Sequence, residues 1–368
     1  MTTLVHGGDI YTAMEESRRP GTEILDYSAN INPLGMPRKV KEAVTAALNL
    51  CDNYPDPLCR KLRQAVAQKE QVPAEYLLFG NGAADLIFRL AAALKPKKAM
   101  VLSPTFAEYE KALEISGSDI SCYPLKEEEG FALSEAFLSR LDASLDMLFL
   151  CNPNNPTGRL IPRDLLKRII RVCGEKNIFV VVDECFIDFL EDPRAATVKD
   201  LLKTCKSLFI LRAFTKNYAM PGLRLGYGMC GDPAVLKTLF SAGQPWSVSL
   251  VAQEAGIAAL REDAYLEEAR QLIFAERRKL QAELAALGYK VFPPAANYIF
   301  FQLRKADDPA YADRFVSDMA GEGILIRSCA NYRGLGRGYF RIAIRKEAEN
   351  RRLVEALIRR EQIWQKQL

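Results

Sequence analysis

Four segments of the sequence carry residues of the kinds that bind cofactors, and each begins with or follows a run of apolar residues. They are FGNGAAD at residues 79–85, CNPNNPTG at 151–158, VVVDECFIDF at 180–189 and RAFTKNYAMPGLRLGYG at 212–228. An open α/β sheet binds its ligands beyond the carboxyl ends of its parallel strands. Polar residues at these strand ends are therefore candidates for one shared site.

The first segment has the composition of a phosphate-binding turn. Gly80 and Gly82 would let the backbone approach a ligand closely, and the N–H groups at the start of the following helix would bind phosphate. The segment resembles the dinucleotide fingerprint G-x-G-x-x-G, but Asp85 stands in place of the third glycine. A tight strand-to-helix turn without a ligand is equally compatible with it.

The second and third segments place amides and a carboxylate at strand ends. Pro153 and Pro156 restrict the turn that holds Asn155 and the two asparagines before it, which favours a rigid binding loop over a plain connection. Asp183 closes a very apolar strand. Such an aspartate is either an N-cap for the next element or a buried charge with a cationic partner, and the residue alone favours the cap.

The fourth segment contains Lys216 and, eight residues later, Arg224. Most lysines are solvated surface residues. A sheltered lysine with a lowered pKa can instead form a Schiff base, and an arginine can bind a phosphate dianion. Taken together, a phosphate cradle, an amide, a strand-end carboxylate and a Schiff-base lysine are the set that pyridoxal phosphate requires.

Short apolar runs alternate with amphipathic ones between about residues 76 and 230, which predicts an α/β fold with a mostly parallel sheet. The helix at 163–177 has a regular apolar face and a stop at Gly174. The expected strands are residues 76–80, 99–103, 119–124, 147–151, 178–183, 207–212 and 226–230.

The pattern changes after residue 241, where a long helix at 264–287 precedes several short strands and a charged terminal helix from 346 to about 362. The strands are expected at residues 289–292, 297–303, 323–327 and 339–344. We therefore expect three parts: a loop-like arm at 1–35 that joins the smaller domain, a large cofactor-binding domain at 36–240 and a small α+β domain at 241–368.

Composition excludes several functions. Lys+Arg 50 against Asp+Glu 46 gives a net charge of +4, which is too balanced for a nucleic-acid surface. His6 is the one histidine, so a His-rich zinc site is excluded and a Ser-His-Asp triad would need this residue. The nine cysteines include no C-x-x-C pair, which indicates reduced thiols in a cytoplasmic protein and no metal site. No apolar run reaches 18 residues, so no membrane span is expected.

From about His6 to Leu357 the chain resembles the fold-type-I pyridoxal-phosphate enzymes of the aspartate aminotransferase superfamily. The resemblance implies a large domain with a mostly parallel sheet between helices, a smaller α+β domain, and pyridoxal 5'-phosphate as cofactor. By position, Lys216 would be the Schiff-base lysine and Asp183 the partner of the pyridinium nitrogen. Asn155 would donate to the ring oxygen, and Phe106 in SPTFAEY would stack on the ring unless it is a plain core residue.

The same resemblance implies a phosphate shell and a homodimer with shared active sites. Tyr54, in NYPDP, matches a tyrosine that reaches the phosphate of the neighbouring subunit's cofactor. Ala213 departs from the pattern, because many members carry a hydroxyl there. The residues expected to hold the cofactor phosphate in the same subunit are Gly82, Ala83, Thr215 and Arg224.

Two sister families of this superfamily are most similar to the chain: the threonine-phosphate decarboxylases of cobalamin biosynthesis and the histidinol-phosphate aminotransferases. The segments VHGGDIY at 5–11, YSANINPLG at 27–35 and IRSCANYRGL at 326–335 resemble the decarboxylases. Phe186 does so too, since most aminotransferases of the group carry a tyrosine there, which would donate to the ring oxygen.

The resemblance implies decarboxylation of O-phospho-L-threonine to 1-amino-2-propanol O-2-phosphate, or of O-phospho-L-serine to ethanolamine phosphate. Histidinol-phosphate aminotransferase activity with glutamate and 2-oxoglutarate is the alternative, and a non-catalytic or nucleotide-binding protein of the same fold also remains open. Arg341 would hold the substrate carboxylate. For His6, a terminal residue without a binding role is the alternative. The other expected substrate ligands are Asn32, Asn155 and Arg327, with Arg333 behind them.

Overall fold

The computed structural model describes residues 6–16 and 24–366, so Val5 of the VHGGDIY segment lies outside the described residues. The helices are α1 Ile10–Glu16, α2 Arg38–Ala47, α3 Arg60–Glu70, α4 Ala83–Leu94, α5 Glu108–Ile115, α6 Arg163–Glu175, α7 Pro193–Ala196, α8 Phe214–Asn217, α9 Pro233–Ser241, α10 Leu250–Ala259, α11 Asp263–Ala286, α12 Pro309–Gly321 and α13 Glu347–Lys366. The strands are β1 Leu25–Asp26, β2 Leu77–Asn81, β3 Lys98–Ser103, β4 Asp119–Pro124, β5 Met147–Cys151, β6 Phe179–Asp183, β7 Leu208–Ala213, β8 Leu225–Cys230, β9 Lys290–Val291, β10 Tyr298–Gln302, β11 Ile324–Leu325, β12 Arg327–Ser328 and β13 Tyr339–Ala343.

Seven strands form one sheet in the order β2-β8-β7-β6-β5-β3-β4. All neighbours are parallel except β8, which runs antiparallel to β2 and β7. Val180 and Val182 belong to one core cluster and Val181 to another, so both faces of β6 are covered. Burial on both faces explains why these strands are apolar without alternation. The predicted α/β fold with a mostly parallel sheet is confirmed.

The carboxyl ends of the parallel strands meet at one edge of this sheet. Cys151 at the end of β5 is the register partner of Asp183 at the end of β6. Ala213 ends β7 on the other side of β6 and leads directly into the short helix α8. The motifs that follow these strands are therefore brought together, as the sequence predicts.

The second sheet has four antiparallel strands in the order β12-β13-β10-β9, and its core cluster includes residues of α11, α12 and α13. The strand expected at 323–327 divides in two: β11 pairs in parallel with β1, and β12 pairs with β13. The arm at 1–35 is not wholly loop-like, since it contains α1 and β1. A seven-residue helix and a two-residue strand are too short for a periodic pattern to reveal them.

The division of the chain at residues 35 and 240 stays a proposal. Ala252 and Ala255 of α10 pack in the same core cluster as Leu62 and Leu225. Helix α10, which follows residue 240, therefore packs against α3 and β8 of the large domain. Within the described ranges, no helix has the length and apolar character needed to cross a membrane.

Candidate active site

A cavity of about 390 Å³ lies at the carboxyl edge of the seven-stranded sheet, and β12 and β13 of the second sheet contribute to its wall. Residues from distant parts of the sequence meet there. The expected site residues that line it are His6, Ala83, Phe106, Asn155, Asp183, Thr215, Lys216, Arg224, Arg327 and Arg341.

Lys216 lies in α8, directly after the buried strand β7, and its side chain lines the cavity. Burial, and then the positive charges of Arg341 and Arg224, lower the pKa of Lys216 to about 8. The backbone around it is fixed by Asn32, whose N–H donates to the Lys216 carbonyl at 3.1 Å and whose Nδ2 donates to the Asn217 carbonyl at 2.8 Å. A lysine with a lowered pKa is a competent nucleophile near neutral pH.

Asp183 is 6% exposed at the end of β6. Its Oδ2 accepts a hydrogen bond from the Tyr109 hydroxyl at 2.6 Å, and its Oδ1 accepts one from the Cys185 N–H at 2.9 Å. Within residues 6–16 and 24–366 the nearby Arg212 pairs with the adjacent carboxylates Glu184 and Asp188 and not with Asp183. A buried carboxylate of this kind fits a cationic ligand group in the cavity, such as a protonated ring nitrogen.

A phosphate cradle is formed where α4 begins. Gly82 has φ +79° and precedes the helix without a side-chain cap, so the first N–H groups of α4 are available. A Cβ on Gly82 would lie 2.5 Å from Arg224 Nη2, and one on Gly226 would lie 2.4 Å from the Ala83 nitrogen. Only glycine at both positions lets the guanidinium and the helix start converge, and this pairing suits a phosphate.

Two departures from the expected pattern leave this cradle intact. Asp85, in place of a third glycine, accepts a hydrogen bond from the Asn81 N–H at 2.9 Å and pairs with Arg89, so it stabilises the turn. Ala213 offers no hydroxyl, but buried Thr215 lines the same cavity two residues later.

Arg341 and Asn155 form a linked pair in the cavity wall. Arg341 is 5% exposed; its Nη2 donates to the Ser28 carbonyl at 2.7 Å and its Nη1 to Asn155 Oδ1. The Nε of Arg341 is buried and has no hydrogen-bond partner among the described residues. Asn155 Oδ1 accepts the hydrogen bond from Arg341, so the amide nitrogen of Asn155 remains to donate to a ligand.

Arg327 lies directly opposite Arg341 in the antiparallel pair of β12 and β13. Directly opposite residues project from the same face of a sheet, and like charges there repel each other. Both side chains line the cavity. The two guanidinium groups are therefore placed to bind two anionic groups of one ligand.

His6 lies at the mouth of the cavity, where its Nε2 is 2.7 Å from Glu108 Oε1. Its backbone is fixed on Ser28, because the Gly8 N–H donates to Ser28 Oγ at 2.7 Å and a Cβ on Gly7 would lie 2.2 Å from the Ser28 carbonyl oxygen. The histidine is therefore held beside the cavity by specific contacts.

The structure does not bring every expected residue to the cavity. Tyr54 is 78% exposed and stacks on Trp246 at 4.5 Å. Asn32 does not line the cavity, because its side chain is used to bind the backbone beside Lys216. Arg333 also lies outside the lining and pairs with Glu110 at 2.7 Å.

Asn30 lines the cavity but is not among the residues predicted from the sequence. It is 2% exposed, and neither polar atom of its side chain has a partner among the described residues. An unpaired buried amide is costly, which indicates that a ligand satisfies it. The only signal in the sequence is a second asparagine, two residues before Asn32, in the same YSANINPLG segment. Tyr332, another lining residue, carried no signal of its own.

These features fit pyridoxal phosphate. Arg224 and the start of α4 would hold its phosphate, Asp183 its ring nitrogen and Asn155 its ring oxygen, with Lys216 beside its aldehyde carbon. Phe106, in the cavity wall, is the aromatic residue available to cover the ring.

Comparison with known proteins agrees with this fit. The sequence model of the family described as "Aminotransferase class I and II" matches residues 22–357. The threonine-phosphate decarboxylase of Salmonella typhimurium is 42% identical over 353 residues, which are 96% of this chain and 95% of that protein.

Two solved structures extend the comparison. The histidinol-phosphate aminotransferase from Clostridium acetobutylicum is 30% identical with a TM-score of 0.85, covering 92% of this chain and 99% of that one. The L-threonine-O-3-phosphate decarboxylase from Porphyromonas gingivalis is 26% identical with a TM-score of 0.79, covering 91% and 98%. The chain therefore belongs to the class I and II aminotransferase family, and it is a pyridoxal-phosphate-dependent enzyme of the fold-type-I class.

Proposed function

We propose that the enzyme removes carbon dioxide from O-phospho-L-threonine to give 1-amino-2-propanol O-2-phosphate. The observation that carries this proposal is the pairing of Arg327 and Arg341 across β12 and β13, with both side chains in the cavity. The substrate carries a carboxylate and a phosphate only a few bonds apart, so one small molecule can place an anionic group against each arginine. The 42% identical relative named threonine-phosphate decarboxylase supports the same substrate.

The residues of the chain would divide the work of the reaction. Bound pyridoxal phosphate supplies an electron sink for the pair of electrons left at Cα when a bond there breaks. Arg341 holds the carboxylate, while Arg327 and His6 hold the substrate phosphate. These contacts orient the bond between Cα and the carboxylate, and a misplacement of around 1 Å in such a site can cost about 100-fold in rate.

Two further residues control protons. Asp183 would pair with the ring nitrogen of the bound cofactor and keep it protonated. Lys216, whose pKa is lowered to about 8, delivers a proton to Cα after carbon dioxide has left. O-phospho-L-serine, which lacks one methyl group, would react too, because one such contact discriminates by only about 1–3 kcal/mol.

Histidinol-phosphate aminotransferase activity is the second candidate. It is supported by the 30% identical structure of that name and by a 34% identical relative from Desulfitobacterium hafniense. Its amino donor substrate, glutamate, would also place a carboxylate against Arg341. Histidinol phosphate itself carries a phosphate and no carboxylate, so it offers an anionic group to only one of the two arginines.

Product analysis separates the two candidates. The purified enzyme with pyridoxal phosphate is supplied with O-phospho-L-threonine, O-phospho-L-serine or L-threonine in the absence of a keto acid, and carbon dioxide is measured. A parallel assay supplies histidinol phosphate and 2-oxoglutarate and measures glutamate. We expect carbon dioxide from the phosphorylated substrates. Glutamate formation without any release of carbon dioxide would contradict the proposal.

We also propose a homodimer in which Tyr54 serves the partner's active site. Tyr54, Leu58, Phe240 and Trp246 are all exposed, between 39% and 78%, and the last three line one surface groove. Trp246 also lines a second groove that includes Arg224, so this apolar surface adjoins the phosphate cradle. A second copy bound there would cover the exposed rings and bring its tyrosine near the cofactor phosphate.

Subunit mixing tests this assembly. The variants Tyr54→Ala and Lys216→Ala are each expected to have little activity as homodimers. In a mixed dimer, one site combines its own Lys216 with the partner's intact tyrosine, so activity should return on mixing after gentle dissociation. Failure to recover activity in dimers verified to be mixed would show that Tyr54 does not act across the interface.

A further inference from the structure

Tyr109 in α5 is a buried side chain that the proposed reaction does not use. It is 0% exposed, and its hydroxyl lies 2.6 Å from Asp183 Oδ2. The contact joins residues 74 positions apart in the sequence, so it depends wholly on the fold. It is also a direct contact with the carboxylate that faces the cavity.

The ring of Tyr109 is fixed on two sides. It stacks on Phe149 with centroids 5.0 Å apart and planes at 15°, and it meets Phe106 edge-on at 5.5 Å and 81°. Such contacts leave the phenol no room to turn away from Asp183. Burial, and then the negative charge of Asp183, raise the pKa of Tyr109 well above its usual value. The hydroxyl therefore stays protonated and donates a hydrogen bond to the carboxylate.

The two oxygens of Asp183 are held by different elements. Tyr109 of α5 binds Oδ2, and the Cys185 N–H of the following turn binds Oδ1 at 2.9 Å. Rotation of the carboxylate would break at least one of these bonds. Loss of the phenol would leave the side chain anchored through one oxygen only.

We propose that Tyr109 is a positioning residue that fixes the Asp183 carboxylate against the ring nitrogen of the cofactor. This inference rests on the proposed role of Asp183 toward that nitrogen. The hydrogen bond from Tyr109 to Oδ2 and the one from the Cys185 N–H to Oδ1 together set the direction in which the carboxylate faces the cavity. Without the Tyr109 hydroxyl, the carboxylate keeps only the hydrogen bond to the Cys185 N–H and can rotate away from the ring nitrogen.

The test compares two cofactors in variant enzymes. One is pyridoxal phosphate, and the other is its analogue with CH in place of the ring nitrogen. Dissociation constants for both are measured by titrating cofactor-free protein and following absorbance. The fixed carboxylate should make the wild-type enzyme bind the analogue more weakly than pyridoxal phosphate. The quantity compared is the dissociation constant of the analogue divided by that of pyridoxal phosphate. In Tyr109→Phe this ratio should fall about 10-fold, the size expected for a hydrogen bond to a charged group.

Tyr289→Phe is the matched control. The hydroxyl of Tyr289 also donates to a buried carboxylate, Glu361 Oε1, at the same distance of 2.6 Å, but this pair belongs to the core of the second sheet. Each variant keeps the aromatic ring and loses one hydroxyl group, so the two should lose similar stability in thermal unfolding. Only Tyr109→Phe should change the ratio of the two constants.

Asp183→Asn separates the possible failures. If it lowers the ratio while Tyr109→Phe leaves it at the wild-type value, Tyr109 has only a structural role and the inference is wrong. If neither variant changes the ratio, Asp183 does not meet the ring nitrogen, and the proposed role of Asp183 fails together with the inference. A fall in both variants, with Tyr289→Phe unchanged, supports the positioning role.

Discussion

Lys216 should destabilise the cofactor-free protein, so Lys216→Met should stabilise it. The amine lies in the cavity, where burial and then the charges of Arg341 and Arg224 lower its pKa from 10.5 to about 8. Methionine has a similar length and no charge, so it removes the free-energy cost of burying the charged amine while keeping most of the packing. The residue that the chemistry needs is thus one that folding alone would disfavour.

The magnitude follows from the two pKa values. At 1.36 kcal/mol for each tenfold change, a fall from 10.5 to about 8 on folding costs about 3 kcal/mol at pH 7. Below pH 8 the amine is protonated in both the folded and the unfolded chain, so the full cost applies. Between pH 8 and 10.5 the unfolded chain binds a proton that the folded one does not, so stability rises with pH. At pH 9.5 the remaining cost is about 1 kcal/mol.

Urea unfolding, followed by circular dichroism at one fixed protein concentration, measures this effect. The cofactor-free wild type, Lys216→Met and a control at the exposed residue Lys237 of α9, Lys237→Met, are compared at pH 7 and pH 9.5. The control should change the free energy of unfolding by less than about 0.5 kcal/mol. The reasoning is refuted if Lys216→Met is no more stable than the wild type at pH 7, or if its advantage does not shrink at pH 9.5.

Three other substitutions test the substrate side of the cavity. Arg327→Gln should raise KM for O-phospho-L-threonine by roughly 10- to 100-fold and change KM for L-threonine little, because a charge-assisted bond to phosphate is lost; equal changes in steady-state assays of both substrates would contradict its role. Asn30→Ala should raise KM for O-phospho-L-threonine about 10-fold. Because it removes an unpaired buried amide, it should also add about 1 kcal/mol to the unfolding free energy of the ligand-free protein. A loss of stability in urea unfolding would count against that explanation. Phe186→Tyr adds a hydroxyl at the cavity wall, so it should shift the pH titration of the bound cofactor's absorbance and leave carbon dioxide as the product; the appearance of glutamate-dependent transamination would show that this position also selects the reaction.

The strand ends could be predicted from the sequence because each strand is identified by the residue pattern within its own short segment. A run of five or six apolar residues without alternation forms a strand buried on both faces, and the next residue stands at the edge of the sheet. Asp183 is the last residue of such a strand and Lys216 follows another one by three residues, but their roles at the cofactor come from the family resemblance. Boundaries differ by one or two residues, as at β2, because hydrogen bonding to the neighbouring strand, β8, decides where pairing ends.

The contacts between distant segments could not be read from the sequence in the same way. Asn30 and Asn32 are two residues apart in one segment, yet one lines the cavity and the other binds the backbone beside Lys216. Nothing local distinguishes two asparagines in an irregular segment. Tyr109 reads as an ordinary core residue of an amphipathic helix, and only the fold brings its hydroxyl to Asp183.

The pairing of Arg327 with Arg341 also depends on the fold, since 14 residues separate them and the register of β12 on β13 sets them face to face. Two like charges on one face oppose this pairing, so other contacts must hold the connecting segment. Arg333, in that segment, pairs with Glu110, and its carbonyl accepts a hydrogen bond from Ser103 Oγ at 2.7 Å. Arg333 was expected near the substrate phosphate, but it lies outside the cavity. From there it holds the segment that carries Arg327 toward Arg341, so a residue outside the cavity lining positions the two guanidinium groups that would bind the anionic groups of a substrate.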